Sequence, residues 1–333
     1  MEYSKIQQAI IEDNSHLLKM LLDDDEIEET YEECTRLLLA AEFNAVNCVP
    51  ALLKAGERID EVDPRQEISA LEMAIQKNSE TMVETLLHYG ASTGRITGFQ
   101  LNIVAKNDSV GILRRLEENG LDLKQHATEG SLATTILHAK ARKCRDFLIE
   151  TMDTDDLLAP EKGTPFMSYA LVQMDVITIE AISRKPGFQQ KKLRKGKNGL
   201  TFLHMLVGFV IDKKEIWKKL RILDILLKEN RNINKIDDFG NTALHYCVNI
   251  PTAKRLLKGG ADLFAVNEKG QTPRIRIKEW DWKRDNSDWL YQQEKKEIER
   301  RKSTNEPMPD IEWKAPTPEP TDQLSHGHRR KEK

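Results

Sequence analysis

Gly240-Asn241-Thr242-Ala243-Leu244-His245 repeats, forty-one residues on, the pattern Gly199-Leu200-Thr201-Phe202-Leu203-His204. Thr272-Pro273 comes thirty residues after Thr242, just behind Gly270. A Thr ahead of an apolar run starts a helix, because its hydroxyl takes up an amide N–H that the helix leaves without a partner. A single such phrase is only a cap. Its recurrence every thirty to forty residues or so marks an array of like helical units, none of which can bury its apolar face alone.

The array can be followed where the phrase is missing. Each unit carries a small residue in its first helix and a Leu-Leu-like pair about twelve residues later. Ala9 goes with Leu21-Leu22, Ala40 with Leu52-Leu53, and Ala74 with Leu86-Leu87. Val104 takes the small position before Arg115-Leu116, and Tyr169 before Ala181-Ile182. The first steps between small positions are 31, 34 and 30 residues. The small residue lets neighbouring helices approach, and the leucine pair fills the layer between units. Gly56, Gly90, Gly120 and Gly260 follow the pairs, where a helix ends most cheaply in the left-handed conformation.

These residues resemble the ankyrin-repeat family. The best matches are Ser69-Ala70-Leu71-Glu72-Met73-Ala74, the stretch Thr201 to Leu206 and the stretch Thr242 to Cys247, with Thr164-Pro165-Phe166 a fair one. The resemblance implies an all-α ankyrin-repeat solenoid of helix pairs with short β-hairpin or turn projections. It covers residues 1–273, as about eight units plus a partial ninth. Units one, two, four and five lack the Thr-x-Leu-His phrase. In unit five, Leu137-His138-Ala139 points to one register and Phe147-Leu148 to another. Unit seven carries an insertion of eight residues before Leu226-Leu227, and unit eight lacks three before Leu256-Leu257. Both changes are expected in the turn between the two helices of the unit.

The chain has 333 residues, 39 % of them hydrophobic and 32 % charged, with a net charge of -3. So small a net charge does not single out a nucleic acid or a membrane as partner. The four cysteines, Cys34, Cys48, Cys144 and Cys247, form no C-x-x-C pair and match no metal template. They suit a reducing compartment, and a cytoplasmic location, extending to the nucleus, is expected. Met1 to Asn14 does not read as a signal peptide, and the longest apolar run, Met205 to Ile211, is far short of a membrane span.

From Arg274 the pattern dissolves. Residues 274–302 are Trp-rich and charged and read as a C-terminal cap or docking segment, with Trp280 and Trp282 nearest the last apolar face. Glu294 to Lys302 reads as an exposed helix. Residues 303–333, with five prolines, read as a flexible tail.

No catalytic, metal or cofactor site emerges. His204 and His245 have no Ser or Asp spaced to complete a triad, and the resemblance makes both structural. The acidic run from Asp23 to Glu33 lacks the spacing of a calcium loop. The expected activity is therefore non-catalytic protein binding, as adaptor, scaffold or inhibitor. By the resemblance, the partner lies in a groove of hairpin tips and first helices. Candidate contacts are Met73, Met205 and Tyr246 on first helices and Ile236, Asp238 and Phe239 at a hairpin tip. The basic run Lys191, Lys192, Arg194 and Lys195 suits an acidic protein segment, and Trp289 and Trp313 offer aromatic anchors. Two other readings are a nuclear regulator that meets nucleic acid through the basic run, and a host-directed ankyrin effector.

Overall fold

The computed structural model describes residues 4–23, 35–158, 163–188, 197–210, 212–229, 233–279 and 285–309. The acidic residues 24–33, the basic residues Lys191, Lys192, Arg194 and Lys195, and Trp280, Trp282 and Trp313 lie outside them. The chain divides into two bodies, residues 1–206 with 211–232, and residues 207–210 with 233–333.

In chain order the helices pair as follows. The first pair is α1 (Lys5–Ile11) and α2 (Ser15–Leu22), and the second is α3 (Arg36–Glu42) and α4 (Val49–Lys54). The third is α5 (Ala70–Gln76) and α6 (Glu80–His88), and the fourth is α7 (Gly98–Lys106) and α8 (Val110–Glu118). A single helix, α9 (Leu123–Glu129), precedes the fifth pair, α10 (Ser131–Ala139) and α11 (Arg142–Thr151). Another, α12 (Thr154–Leu158), precedes the sixth, α13 (Phe166–Val172) and α14 (Val176–Ser183). Then come α15 (Phe202–Gly208) and α16 (Ile216–Glu229). The eighth unit has a 3-10 turn, Ala243–Tyr246, before α17 (Ile250–Lys258), and the chain continues through α18 (Pro273–Lys278) and α19 (Asp285–Thr304).

In the first body the first helices pack in the order α1, α3, α5, α7, α10, α13. Among the second helices, α8, α11, α14 and α16 pack in succession. Ala9, Ala40, Ala74 and Val104 are fully buried between these rows, as their spacing requires. The first helices α1, α3, α5, α7 and α15 are each started by a side-chain cap of their own, often a reciprocal box, whereas α10 and α13 start at Gly130 and Pro165 without one. Ser4 with Gln7, Ser69 with Glu72 and Thr97 with Gln100 all form it. Thr201 with His204 makes the same contacts. The third residue of the helix reaches back to the cap's own N–H, so Gln and Glu do what His does in the Thr-x-Leu-His units. Units one and four thus have the same turn without the phrase.

Of the second helices, α2, α6 and α14 are capped by their own Asn14, Ser79 and Asp175, but two are capped differently. Asp13 and Asp108 sit in the turn between two helices with φ of 51° and 52°. Each carboxylate crosses to the next pair. Asp13 accepts the N–H groups of Asn47 (2.9 Å) and Cys48 (3.2 Å), and Asp108 accepts those of Lys143 (3.2 Å) and Cys144 (2.9 Å). Neither receiving helix start has a side-chain cap of its own. At these two junctions one unit therefore caps the next. Burial, with the neighbouring Asp13 or Asp108 charge, pushes the Cys48 and Cys144 thiols up to about 12. Replacing Asp108 by Ala will destabilise the protein by about 1–2 kcal/mol, a normal cap loss, and Asp108→Asn by less. Urea unfolding will show it, and unchanged midpoints would refute the cross-unit cap.

Three expectations are corrected. First, the β-hairpin projections are absent. Among the described residues there is no strand, only the isolated antiparallel bridge between Val62 and Ser69. The loops are closed by a carboxylate instead: Asp63 accepts the N–H groups of Arg65 and Gln66 (both 2.9 Å) and of Thr35 (3.0 Å). So short a loop, with its amides bound to a side chain, leaves no row for a ladder. Second, unit five contains both competing motifs, Leu137 in α10 and Phe147-Leu148 in α11, with Lys140 at φ 55° in the turn between them. Third, the missing residues of unit eight shorten its first helix to a 3-10 turn. Asn249 then caps α17 through the N–H of Thr252 (2.9 Å), with Pro251 in the first helical turn. In unit seven the extra residues do lengthen the turn, which runs from 209 to 215 and includes a 3-10 segment, Lys213–Glu215, and they also lengthen the second helix, α16, to 14 residues.

In the second body, α19 packs on α18 and α17. It is not exposed all round. Ser287, Leu290, Glu294 and Ile298 are buried along one face, and Arg274 of α18 meets Glu294 at 2.7 Å, both side chains nearly sealed from solvent.

Candidate protein-binding surface

The loop from Lys235 to Thr242 is built around one buried carboxylate. Asp237 accepts the N–H of Phe239 (2.9 Å), the N–H of Asn241 (2.8 Å) and the hydroxyl of Tyr246. Gly240 has φ +76°, and a Cβ there would stand 2.9 Å from the Glu268 nitrogen, so only Gly fits. The next loop repeats the design thirty residues on. Asn267 accepts from the N–H of Lys269 (3.0 Å) and of Gln271 (2.9 Å), and its amide donates to Asn241 (2.9 Å). The Glu268 N–H donates to Phe239 O at 3.1 Å, which joins the two loops. His245 then ties the 3-10 turn to the second loop. Its Nδ1 accepts the Thr242 N–H at 3.0 Å, and its Nε2 lies 3.0 Å from Gln271 O. With Nδ1 an acceptor, the proton sits on Nε2 and is donated to that carbonyl.

On this braced backbone three apolar side chains face solvent. Ile236 and Phe239 are each 51 % exposed and Val266 48 %. Val266 was not among the residues singled out from the sequence, although it stands at the same loop position as Ile236, thirty residues later. Asp238 lies exposed between Ile236 and Phe239 in the chain. Tyr246 supports the loop from below. Its hydroxyl is spent on Asp237, and the Arg276 guanidinium covers its ring at 4.1 Å while donating to His245 O at 2.7 Å. Burial and the Asp237 contact raise the Tyr246 hydroxyl above its ordinary value.

The other candidates are not gathered here. Met73 is only 4 % exposed and fills the core of the third pair, so it offers no surface. Met205, on α15, is half-buried. Trp289, on α19, is half-buried with the Lys254 ammonium 5.9 Å from its ring centre. Among the described residues, no group of three or more His, Cys, Asp or Glu side chains could hold a metal ion, and no helix is long and apolar enough to cross a membrane.

Burial alone would raise the Asp237 carboxyl. The Tyr246 hydroxyl and the N–H groups of Asn241 and Phe239 outweigh it and hold the carboxyl below its ordinary value of 3.8. Asp63 and Asp108 are lowered in the same way, by backbone N–H groups that outweigh burial. A carboxyl with a lowered folded value stabilises fully above its unfolded value and loses that contribution as pH falls through the folded one. Stability will therefore decline on acidification below about pH 4. Asp237→Asn will flatten that acid limb in urea titrations, and an unaltered limb would contradict the assignment.

Residues 6–96 match the family model described as Ankyrin repeats (3 copies), and residues 239–268 match Ankyrin repeat. Among solved structures, the crystal structure of the human ASB11 ankyrin repeat domain is similar at 16 % identity, over 78 % of this chain and 99 % of that one, with a TM-score of 0.39. The first matched segment holds the Asp63 loop and the Ser69–Glu72 box, and the second runs from Phe239 through the Thr242–His245 turn to Glu268. Residues 6–96 and 239–268 are thus ankyrin repeats, set in a chain of capped helix pairs that recur at a thirty-odd-residue step.

Proposed function

We propose that this chain is an adaptor or scaffold that holds a partner protein on the loop surface of its second body, with Ile236, Phe239 and Val266 as the apolar contacts and Asp238 beside them. Protein binding without catalysis is the general activity of ankyrin repeats, and the chain shares it. The observation that carries the finer reading is exposed apolar side chains on loops whose backbone is already ordered by Asp237, Asn267 and His245. A pre-ordered surface loses little entropy on binding. Buried thiols at Cys48, Cys144 and Cys247, none of them in a disulfide, support a reducing compartment, the cytoplasm or nucleus, as the place where it acts.

The test is quantitative affinity purification with the full chain and an Ile236→Asp/Phe239→Asp variant. The variant will melt as the parent does, since both side chains are half in solvent, and will lose its specifically retained proteins by about tenfold or more. Retention of the same proteins at the same level would remove this surface from the function.

A further inference from the structure

The first body carries a second feature, on its second helices rather than its loops. A cleft of about 710 Å³ opens where α14 lies beside α16. Four cations line it, Arg184, Lys185, Arg221 and Lys228, against two carboxylates, Glu180 and Asp224. Arg221 pairs with Glu180. Lys185 is fixed at the rim, its ammonium donating to the carbonyl oxygens of Ile149, Glu150 and Met152. Arg184 and Lys228 are exposed. The cleft therefore keeps an excess of two positive charges.

One helical turn back, the same two faces become apolar. Ile177 stands three residues before Glu180 on α14 and is 57 % exposed. Trp217 stands four residues before Arg221 on α16 and is 58 % exposed, with the Lys218 ammonium 6.0 Å from its ring centre. Since residue 180 meets 221 and residues 183–187 share the cleft with 224–228, the helices run in the same direction, which sets Ile177 beside Trp217. An exposed Trp is costly in water and common at binding hot spots. The helix that presents it is the one lengthened by the insertion in unit seven.

We infer that the surface along α14 and α16 docks an acidic linear segment of a partner protein, with an apolar side chain on Ile177 and Trp217 and carboxylates in the cleft at Arg184 and Lys228. The distance sets the pattern. Eleven helical residues separate Trp217 from Lys228, about 16 Å at 1.5 Å per residue. An extended peptide covers that in about five residues at roughly 3.3 Å each. The recognised segment thus has a large apolar residue and two or more carboxylates about five positions away. In the sequence, Lys191, Lys192, Arg194 and Lys195 follow Gly187 closely and reinforce the choice of an acidic ligand. This surface is separate from the loop surface proposed above and stands whether or not that one binds.

The experiment selects random twelve-residue peptides displayed on phage against the full chain and measures the winners as fluorescein-labelled synthetic peptides. The selected peptides will carry the apolar-plus-acidic pattern, and their affinity will fall as salt is raised. Trp217→Ala and Arg184→Glu/Lys228→Glu will each weaken them about tenfold or more, with melting curves unchanged because these side chains are exposed. Ile236→Asp/Phe239→Asp will leave them bound, which separates failure here from failure of the loop surface. Several results would overturn the proposal. They are no enriched peptide, enriched peptides without acidic residues, or binding indifferent to both variants. Tight binding of a labelled oligonucleotide lost on the same charge reversals would assign the cleft to nucleic acid instead. Self-association of the chain abolished by a peptide of residues 22–34 would assign it to a second copy.

Discussion

Arg274→Ala will cost about 3–5 kcal/mol of stability, because it takes away the guanidinium that faces the buried Glu294 carboxylate. The pair is 2.7 Å apart, and neither side chain is open to water that could take the lost partner's place. Arg274 also lies over the Tyr291 ring at 5.7 Å, so its removal opens packing as well as charge. The protein has one way to limit the damage, which is to let α19 come away and hydrate Glu294. That route gives up the burial of Leu290 and Ile298, at about 1.5–3 kcal/mol for each large side chain, so the cost stays in the same range. Urea unfolding will measure the loss, and hydrogen exchange will show which route is taken, with fast exchange confined to Asn286–Thr304 if α19 detaches. Replacing both partners together, Arg274→Met with Glu294→Leu, will recover most of the stability, since no charge is left stranded. A single variant that loses under about 1 kcal/mol would show that the pair does not hold α19.

His245→Ala will be the next most damaging change, at about 2–4 kcal/mol. The ring is fully buried and serves two backbone groups at once, the Thr242 N–H at one nitrogen and the Gln271 carbonyl at the other, both at 3.0 Å. Each buried group left without a partner costs about 1–3 kcal/mol. The second bond bears on the proposed loop surface as well as on stability, because Gln271 belongs to the loop that carries Val266. Loss of His245 will therefore loosen the loop surface and weaken whatever binds Ile236 and Phe239. His204→Ala gives a comparison within the same chain, since its Nδ1 meets the Thr201 N–H in the same way at 3.1 Å. Thermal melts within a degree or so of the parent would remove the structural role of both histidines.

The periodic part of this protein was legible in its sequence. Ala9, Ala40, Ala74 and the leucine pairs recur because every unit must bury the same face against the same kind of neighbour, and such a demand writes itself at a constant step. The Thr-x-Leu-His phrase was legible for a related reason: a cap acts within three or four residues, so its partners are adjacent in the chain. The capping boxes of Ser4 with Gln7 and Thr97 with Gln100 were as local, and a search for that spacing would have found them. Of the exposed loop side chains, Ile236, Asp238 and Phe239 were singled out from the sequence and Val266 was not, although the thirty-residue offset points to it.

What only the tertiary structure decided depends on contacts between units, where no constant spacing guides the reading. Met73 is in the core because the helices on either side of α5 close over it. Asp13 and Asp108 cap helices thirty-odd residues away, and nothing near them in the sequence says that the receiving helix lacks a cap of its own. The loops close on Asp63, Asp237 and Asn267 instead of on a strand ladder, because a carboxylate or amide oxygen satisfies the amides within a few residues. Glu294 to Lys302 read as an exposed charged helix, yet Glu294 is fully buried. A carboxylate reads as surface until a guanidinium twenty residues earlier in the chain is folded against it, and the energy of that pair exists only once water has been excluded from both.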